Sequence, residues 1–191
     1  MIDYQDLNDH QLIHRVTLED KGALEAIYTR YGSSVYSLAM YMLKQESLAE
    51  EATQDIFLNI WLKASSYRTD RGEPRAWIMS VAHHKIVDVI RSRRRTLTAT
   101  DPDGYETLEL LPSAQISTEE EVERKIERER ILKSVATLPP PQRQVIMMAY
   151  FEGYTQSEMS ELLKQPLGTV KTRVRLAMQK LRLVIEGDVH D

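Results

Sequence analysis

Apolar residues recur at helical spacing in both halves of the 191-residue chain. Spacings of three and four residues place side chains on one face of an α-helix, and a β-strand cannot use this pattern. In the first half the residues with this spacing are Leu24, Ile27, Tyr28, Tyr31, Val35, Leu38 and Met42. Only seven glycines and seven prolines are present, which disfavours a turn-rich β sandwich. We therefore expect an all-α protein.

A polar, acidic stretch divides the chain. Two further helices are predicted over residues 48–63 and 76–95, separated by a loop at residues 65–75 that contains Gly72 and Pro74. Residues 96–118 then contain four acidic residues, no basic residue and two prolines, a composition with little to build a core from. We predict two small helical domains, residues 1–95 and 119–191, joined by a flexible acidic linker at residues 96–118.

Charges are segregated along the chain, although the formal net charge is only −4. Residues 61–95 carry nine basic and three acidic side chains, and residues 166–185 carry five basic and no acidic ones. Basic stripes of this kind indicate phosphate binding. Residues 1–60 carry ten acidic and four basic side chains. Because an acidic chain repels DNA, we expect a partner to supply most of the DNA affinity.

Several function classes are disfavoured by what the sequence lacks. Without cysteine, the chain has no disulfides and no thiolate zinc site. No apolar run approaches a membrane span and the first residues do not resemble a signal peptide, so we expect a soluble, cytoplasmic protein without membrane insertion. We find no phosphate loop, zinc-protease motif or nucleophile pattern, and therefore predict no catalytic residues, no cofactor and no enzyme activity. His83 and His84 are adjacent, point about 100° apart on a helix and lack a third ligand, so we predict no metal site.

The last third of the chain has the pattern of a helix-turn-helix. Thr155 and Glu158 fit a capping box that opens a short helix, and residues 164–168 form a turn before a basic helix. The apolar face of that helix consists of Val170, Val174, Ala177, Leu181 and Val184. The opposite face carries Lys171, Thr172, Arg175, Gln179 and Arg182, with Arg173 on its flank. Near the helix start, Lys171, Thr172 and Arg175 can reach base edges in a major groove.

Both halves of the chain resemble the extracytoplasmic-function (ECF) family of bacterial sigma factors, of the sigma-70 type. Residues 138–139, 143, 150–158 and 166–173 resemble region 4 of that family, including the sequence Tyr-Phe-Glu-Gly-Tyr-Thr-Gln-Ser-Glu. Residues 49–58, 61, 76–78 and 88–95 resemble region 2, including Ala-Glu-Glu-Ala-Thr-Gln-Asp-Ile-Phe and Asp-x-x-Arg-x-Arg-Arg-Arg. The two parts occur in the family order and cover nearly the whole chain.

The resemblance implies that the protein binds core RNA polymerase and directs it to promoter DNA. Region 2 would contact the β′ clamp helices and open the −10 element, region 4 would contact the β flap and read the −35 element, and an anti-sigma factor would hold the protein inactive. The polymerase-binding residues implied are Glu50, Glu51, Gln54 and Asp55. Those implied for the −10 element are Tyr67, Arg68, Met79, His83, Arg91, Arg93, Arg94 and Arg95. Those implied for the −35 element are Lys171, Thr172, Arg173, Arg175, Gln179 and Arg182.

Other interpretations fit the same sequence. A stand-alone helix-turn-helix regulator would need no polymerase, but it would require a dimer helix to read a palindrome, and none is evident. A helical adaptor would bind a protein partner without DNA. The acidic linker is either a plain tether or a mimic of nucleic-acid charge in the RNA exit path of the polymerase.

Overall fold

The computed structural model of the protein describes residues 2–100 and 133–187, with the backbone alone for residues 97–100 and 184–187. All regular structure in these two stretches is helical, which confirms the all-α prediction. The helices are α1 (Asp9–Thr17), α2 (Lys21–Leu43), α3 (Glu46–Lys63), α4 (Pro74–Thr100), α5 (Pro140–Tyr150), α6 (Gln156–Leu162) and α7 (Leu167–Gly187). The chain divides into two compact units, Met1–Thr96 and Leu97–Asp191. Residues 101–118 of the predicted linker lie outside the described residues.

Side-chain caps fix the helix starts of the first unit. α1, which the sequence analysis did not predict, begins with a capping box: Gln11 N–H donates to Asn8 Oδ1 and the Asn8 N–H donates to Gln11 Oε1, both at 2.9 Å. Asp20 caps α2 by accepting hydrogen bonds from the amides of Gly22 and Ala23. Lys44 ends α2 in the left-handed conformation, with φ of 56°. Only two residues separate α2 from α3, and so short a connection makes consecutive helices antiparallel neighbours.

The first unit has an aliphatic core drawn from all four of its helices. The largest fully buried side chains are Leu12, Ile13, Ile27, Val35, Ile56, Ile60, Ile78 and Ile86. The predicted apolar face of α2 is only partly buried, because Tyr28 is 53% exposed. Its ring packs at 4.7 Å on that of Phe57, which is buried.

α4 is longer than predicted. Its predicted end was Arg95, yet the helix continues to Thr100, so residues 96–100 of the predicted linker are helical. The Thr96 hydroxyl donates to the Ser92 carbonyl, a contact made within a helix. Neither glycine nor proline occurs between Pro74 and Pro102, so nothing in the sequence breaks the helix earlier.

Pro140 and Pro141 stand at the start of a helix in the second unit. Residues 133–136 are helical, and α5 begins again at Pro140. Proline suits the first turn of a helix because the amides there have no intrahelical partner. Arg143 bridges the junction by donating to the carbonyls of Ala136 and Leu138. In the stretches described, no helix is both long and apolar enough to span a membrane.

Candidate nucleic-acid interface

α6 and α7 form the predicted helix-turn-helix. The Thr155 hydroxyl accepts from the Glu158 amide at 3.2 Å and Glu158 Oε2 accepts from the Thr155 amide at 2.6 Å, so the predicted capping box is confirmed. Lys164 closes the helix in the left-handed conformation, with φ of 50°. The Ser160 hydroxyl donates to the Gln165 carbonyl at 2.6 Å and fixes the turn before α7.

The apolar face of α7 packs into the second unit as predicted. Val170 joins a buried cluster with Val145, Met148 and Met159, against which Val174 packs. Ala177 joins a second cluster in which Leu138 and Ile146 are buried and Leu181 packs at the edge. The fifth predicted member of the face, Val184, lies outside the residues whose side chains are described. The packing fixes which side of α7 faces away from the core of the unit.

The opposite side of α7 is exposed and carries basic side chains. The predicted residues exposed on it are Lys171, Thr172, Arg175, Gln179 and Arg182, Arg173 is half-buried on the flank, and Leu176 and Leu183 are exposed on the same side. Arg175 Nη1 donates to Gln179 Oε1 at 3.4 Å, which links two successive turns of this face. The Thr172 hydroxyl donates to the Gly168 carbonyl at 2.9 Å. Since that proton is used, Thr172 has its methyl group and oxygen lone pairs left for another partner.

Acidic side chains line the outer side of α3 in the first unit. Glu50, Glu51 and Gln54 are exposed, as an interaction surface requires. Asp55 differs, because its carboxylate lies 2.7 Å from Lys85 Nζ on α4. The four residues therefore do not form one uniform patch: three face solvent, and the fourth ties α3 to α4.

The two loop residues predicted to contact a −10 base both have partners within the first unit. The Tyr67 ring lies between His10 and Trp77, with centroid distances of 5.8 and 5.6 Å. Burial, and then the Glu73 carboxylate, raise the pKa of Tyr67 above its ordinary value of 10.0, so its hydroxyl stays protonated. Arg68 donates two hydrogen bonds to Asp70, at 3.0 and 2.9 Å, in an exposed pair.

A groove of about 370 Å³ runs between α3 and α4, and the sequence analysis did not predict it. It is lined by Asn59, Lys63, Trp77, Ser80, Val81, His84, Lys85 and Asp88. The predicted residues Met79 and His83 are half-buried on a different side of α4 and do not line it. Helical spacing from Trp77 through Ser80, Val81 and His84 was the available signal, but the contribution of α3 to the groove depends on the tertiary fold.

His84, which lines this groove, is hydrogen-bonded within its own helix. Its Nδ1 lies 2.6 Å from the Ser80 carbonyl oxygen. Because a carbonyl can only accept, Nδ1 carries a proton, and in the neutral ring Nε2 is an acceptor. The groove thus combines an aromatic wall, two lysines and an imidazole.

The C-terminal part of α4 carries the predicted arginine cluster. Arg93 and Arg95 are exposed, whereas Arg91 and Arg94 are half-buried. In residues 2–96 and 133–183 no group of three or more His, Asp or Glu side chains is placed to hold a metal ion.

Comparison with known proteins assigns both units. Residues 27–96 match the family described as Sigma-70 region 2, and residues 128–181 match that described as Sigma-70, region 4. The ECF RNA polymerase sigma factor SigK of Mycobacterium sp. (strain KMS) is 33% identical over 171 residues, 90% of this chain and 87% of that protein. SigK of Mycobacterium ulcerans (strain Agy99) is 30% identical over 182 residues, 95% of each chain. A solved structure, Rhodobacter sphaeroides SigE in complex with the anti-sigma ChrR, is 26% identical with a TM-score of 0.42, covering 95% of this chain and 98% of that one.

The chain belongs to the family of ECF RNA polymerase sigma factors. The resemblance stated from the sequence is thereby confirmed. A stand-alone helix-turn-helix regulator is not favoured, because the relatives match the first unit as well as the helix-turn-helix. The match to region 2 begins at residue 27, so α1 lies before it.

Proposed function

We propose that the protein binds core RNA polymerase and directs it to promoters by contacting the −10 element with its first unit and the −35 element with its second. The observation that carries the proposal is the division of α7 into a buried apolar face and an exposed basic face within a helix-turn-helix. A helix held in this way can present its outer side chains to a major groove. Polymerase and promoter DNA also imply a cytoplasmic location.

In this proposal, −35 reading begins at the N-terminal half of α7. Lys171 and Arg175 suit the O6 and N7 acceptors of guanine. Thr172, whose proton is already donated to Gly168, suits a thymine methyl group or an amino group of adenine or cytosine. Gln179 holds Arg175 and extends the reading face, while Arg173 and Arg182 contact phosphates on either side.

Recognition of the −10 element is assigned to α4 and to the loop before it, residues 65–75. Arg91, Arg93, Arg94 and Arg95 are proposed to neutralise promoter phosphates, which makes binding steeply dependent on salt. Unstacking a base costs a few kcal/mol, and an aromatic or polar pocket offsets this cost. The groove beside Trp77 and His84 offers such surfaces, and Tyr67, Arg68, Met79 and His83 border the loop or the neighbouring side of α4.

Binding of core polymerase is assigned to the exposed carboxylates of α3. The carboxylates of Glu50 and Glu51, with the neutral amide of Gln54 beside them, suit a basic partner helix such as the β′ clamp. Asp55 contributes less directly, because Lys85 already neutralises it. The second unit is proposed to contact the β flap. Control by an anti-sigma factor is proposed from family membership alone.

The test is co-elution of the purified protein with core RNA polymerase on a sizing column at moderate salt. We expect a stoichiometric complex, and we expect Glu50→Lys combined with Glu51→Lys to weaken it more than about tenfold, since like charges then face each other. Glu25→Lys, which alters an exposed carboxylate on α2, is the matched control and should leave the complex intact. A folded wild-type protein that forms no complex with active core would refute the proposal.

A further inference from the structure

The side chain of His10 on α1 contacts the loop at residues 65–75, which precedes α4. His10 Nδ1 lies 2.9 Å from the Tyr67 hydroxyl oxygen, and His10 Nε2 lies 3.4 Å from Glu73 Oε2. The two rings also pack, with centroids 5.8 Å apart. His10 therefore meets the loop at two positions six residues apart, near its two ends.

The position of His10 is fixed by the residue that precedes it. Asp9 accepts a hydrogen bond from Arg30 Nη1 at 2.8 Å and another from the Tyr31 hydroxyl, so α1 is attached to α2. Arg30 Nη2 also donates to the carbonyls of Tyr4 and Gln5, which attaches the segment before α1. Successive residues on a helix point about 100° apart, so an anchored Asp9 directs its neighbour towards a different element.

The contact reaches the groove through two aromatic rings. The Tyr67 hydroxyl also donates to the Gly72 carbonyl at 3.1 Å, so it ties the loop to itself as well as to α1. The Tyr67 ring packs at 5.6 Å, tilted by 57°, on Trp77. Trp77 in turn lines the groove between α3 and α4. A chain of contacts thus runs from α1 to the wall of the groove.

We propose that His10 is a positioning residue for −10 recognition, which holds Tyr67 against Trp77 and keeps the loop and groove wall in the geometry that receives an unstacked base. The proposal rests on the assignment of the −10 element to this unit. By this proposal α1, which precedes the residues matched to region 2, helps to form the −10 recognition site. It also assigns Tyr67 to the supporting wall of the site, and Trp77 to its inner surface.

The test uses holoenzyme assembled with the full chain and a promoter selected by the wild-type protein. Base unstacking is measured as the fluorescence of 2-aminopurine placed in the non-template strand of the −10 element. We expect His10→Ala to lower the equilibrium yield of unstacked promoter about three- to tenfold, the effect of one hydrogen bond. Core binding and affinity for an isolated −35 duplex should stay at the wild-type level. His10→Asn, whose amide lies at the position of Nδ1, should restore most of the signal.

Two further variants separate positioning from folding. His14→Ala removes an exposed histidine one turn further along α1 and should behave as wild type. Tyr67→Phe keeps the ring but removes the hydroxyl, so its effect and that of His10→Ala should be less than additive in the double variant. The proposal would be overturned if the two effects were additive or if His10→Ala unstacked the promoter as well as wild type does. It would also be overturned if His10→Asn failed to restore the signal. If wild-type holoenzyme itself failed to unstack any promoter, the −10 assignment would fail instead.

Discussion

Replacement of Arg175 by alanine separates base reading from phosphate binding on α7. Arg175 is exposed and donates only a 3.4 Å hydrogen bond to Gln179, so its loss should change the free energy of unfolding by less than about 0.5 kcal/mol. A bidentate contact between arginine and guanine contributes about 1–3 kcal/mol of discrimination. At about 1.4 kcal/mol per tenfold, affinity for the best promoter should fall about 5- to 140-fold.

The assay is selection of bound fragments from a random DNA library by wild-type and Arg175→Ala holoenzymes, followed by affinity measurements on the selected sequences. We expect the variant to lose its base preference at one position of the −35 element and to keep the others. Lys180→Ala is the matched control, because Lys180 is exposed on the flank of α7. It should weaken binding evenly across sequences and reduce the slope of log affinity against log salt by about one unit.

An unchanged preference profile for Arg175→Ala would refute the reasoning. An even loss of affinity with a shallower salt slope would make Arg175 a phosphate contact. If Arg175→Ala loses the base preference as expected, Arg175→Lys tests whether the bidentate contact is required, since a lysine keeps the charge but cannot supply the planar bidentate fork.

Three further predictions concern stability. Thr155→Ala removes the capping box of α6 and should lower the free energy of unfolding of the second unit by about 1 kcal/mol, measured in urea. A double-mutant cycle on Asp55 and Lys85 should give a coupling of about 0.2–1 kcal/mol, because the pair is partly exposed. The hydrogen bond from Tyr4 holds the pKa of Asp20 below its ordinary value of 3.8. The carboxylate therefore stabilises the fold above that pH and less as pH falls through its folded pKa, and unfolding of Asp20→Asn should depend less on pH between 7 and 3.

The second unit could be predicted from the sequence because its signals are local. The Thr155 capping box, the turn and the spacing from Val170 to Leu181 all lie within 30 residues. The capping box and the spacing were found where predicted, whereas α7 begins at Leu167, so the turn ends two residues earlier than predicted. Helix periodicity and caps need no knowledge of the tertiary fold. The roles assigned to the outer face of α7 remain predictions.

The −10 region could be predicted only in part, because its geometry depends on residues far apart in sequence. The contact between Tyr67 and His10, 57 residues away, could not be predicted from local spacing. The groove needs both α3 and α4, and no periodicity within one helix indicates it. α1 was missed although Asn8 and Gln11 have capping-box spacing, since the helix is short and its apolar residues are few.

Because the proposed −35 site lies on one helix and the proposed −10 site on several elements, a mutation in the core should affect the two sites unequally. The proposed −35 contacts project from one helix, so they survive any change that leaves α7 packed on α5 and α6. The proposed −10 site joins α1, α3, α4 and the loop, and its geometry depends on the packing of these elements and on contacts such as those of His10 and Lys85. A core substitution such as Ile86→Val, which costs about 0.5–1.5 kcal/mol, should therefore impair promoter opening before it impairs binding to the −35 element. Equal losses of both activities would show that the two sites depend on the packing of the first unit to the same degree.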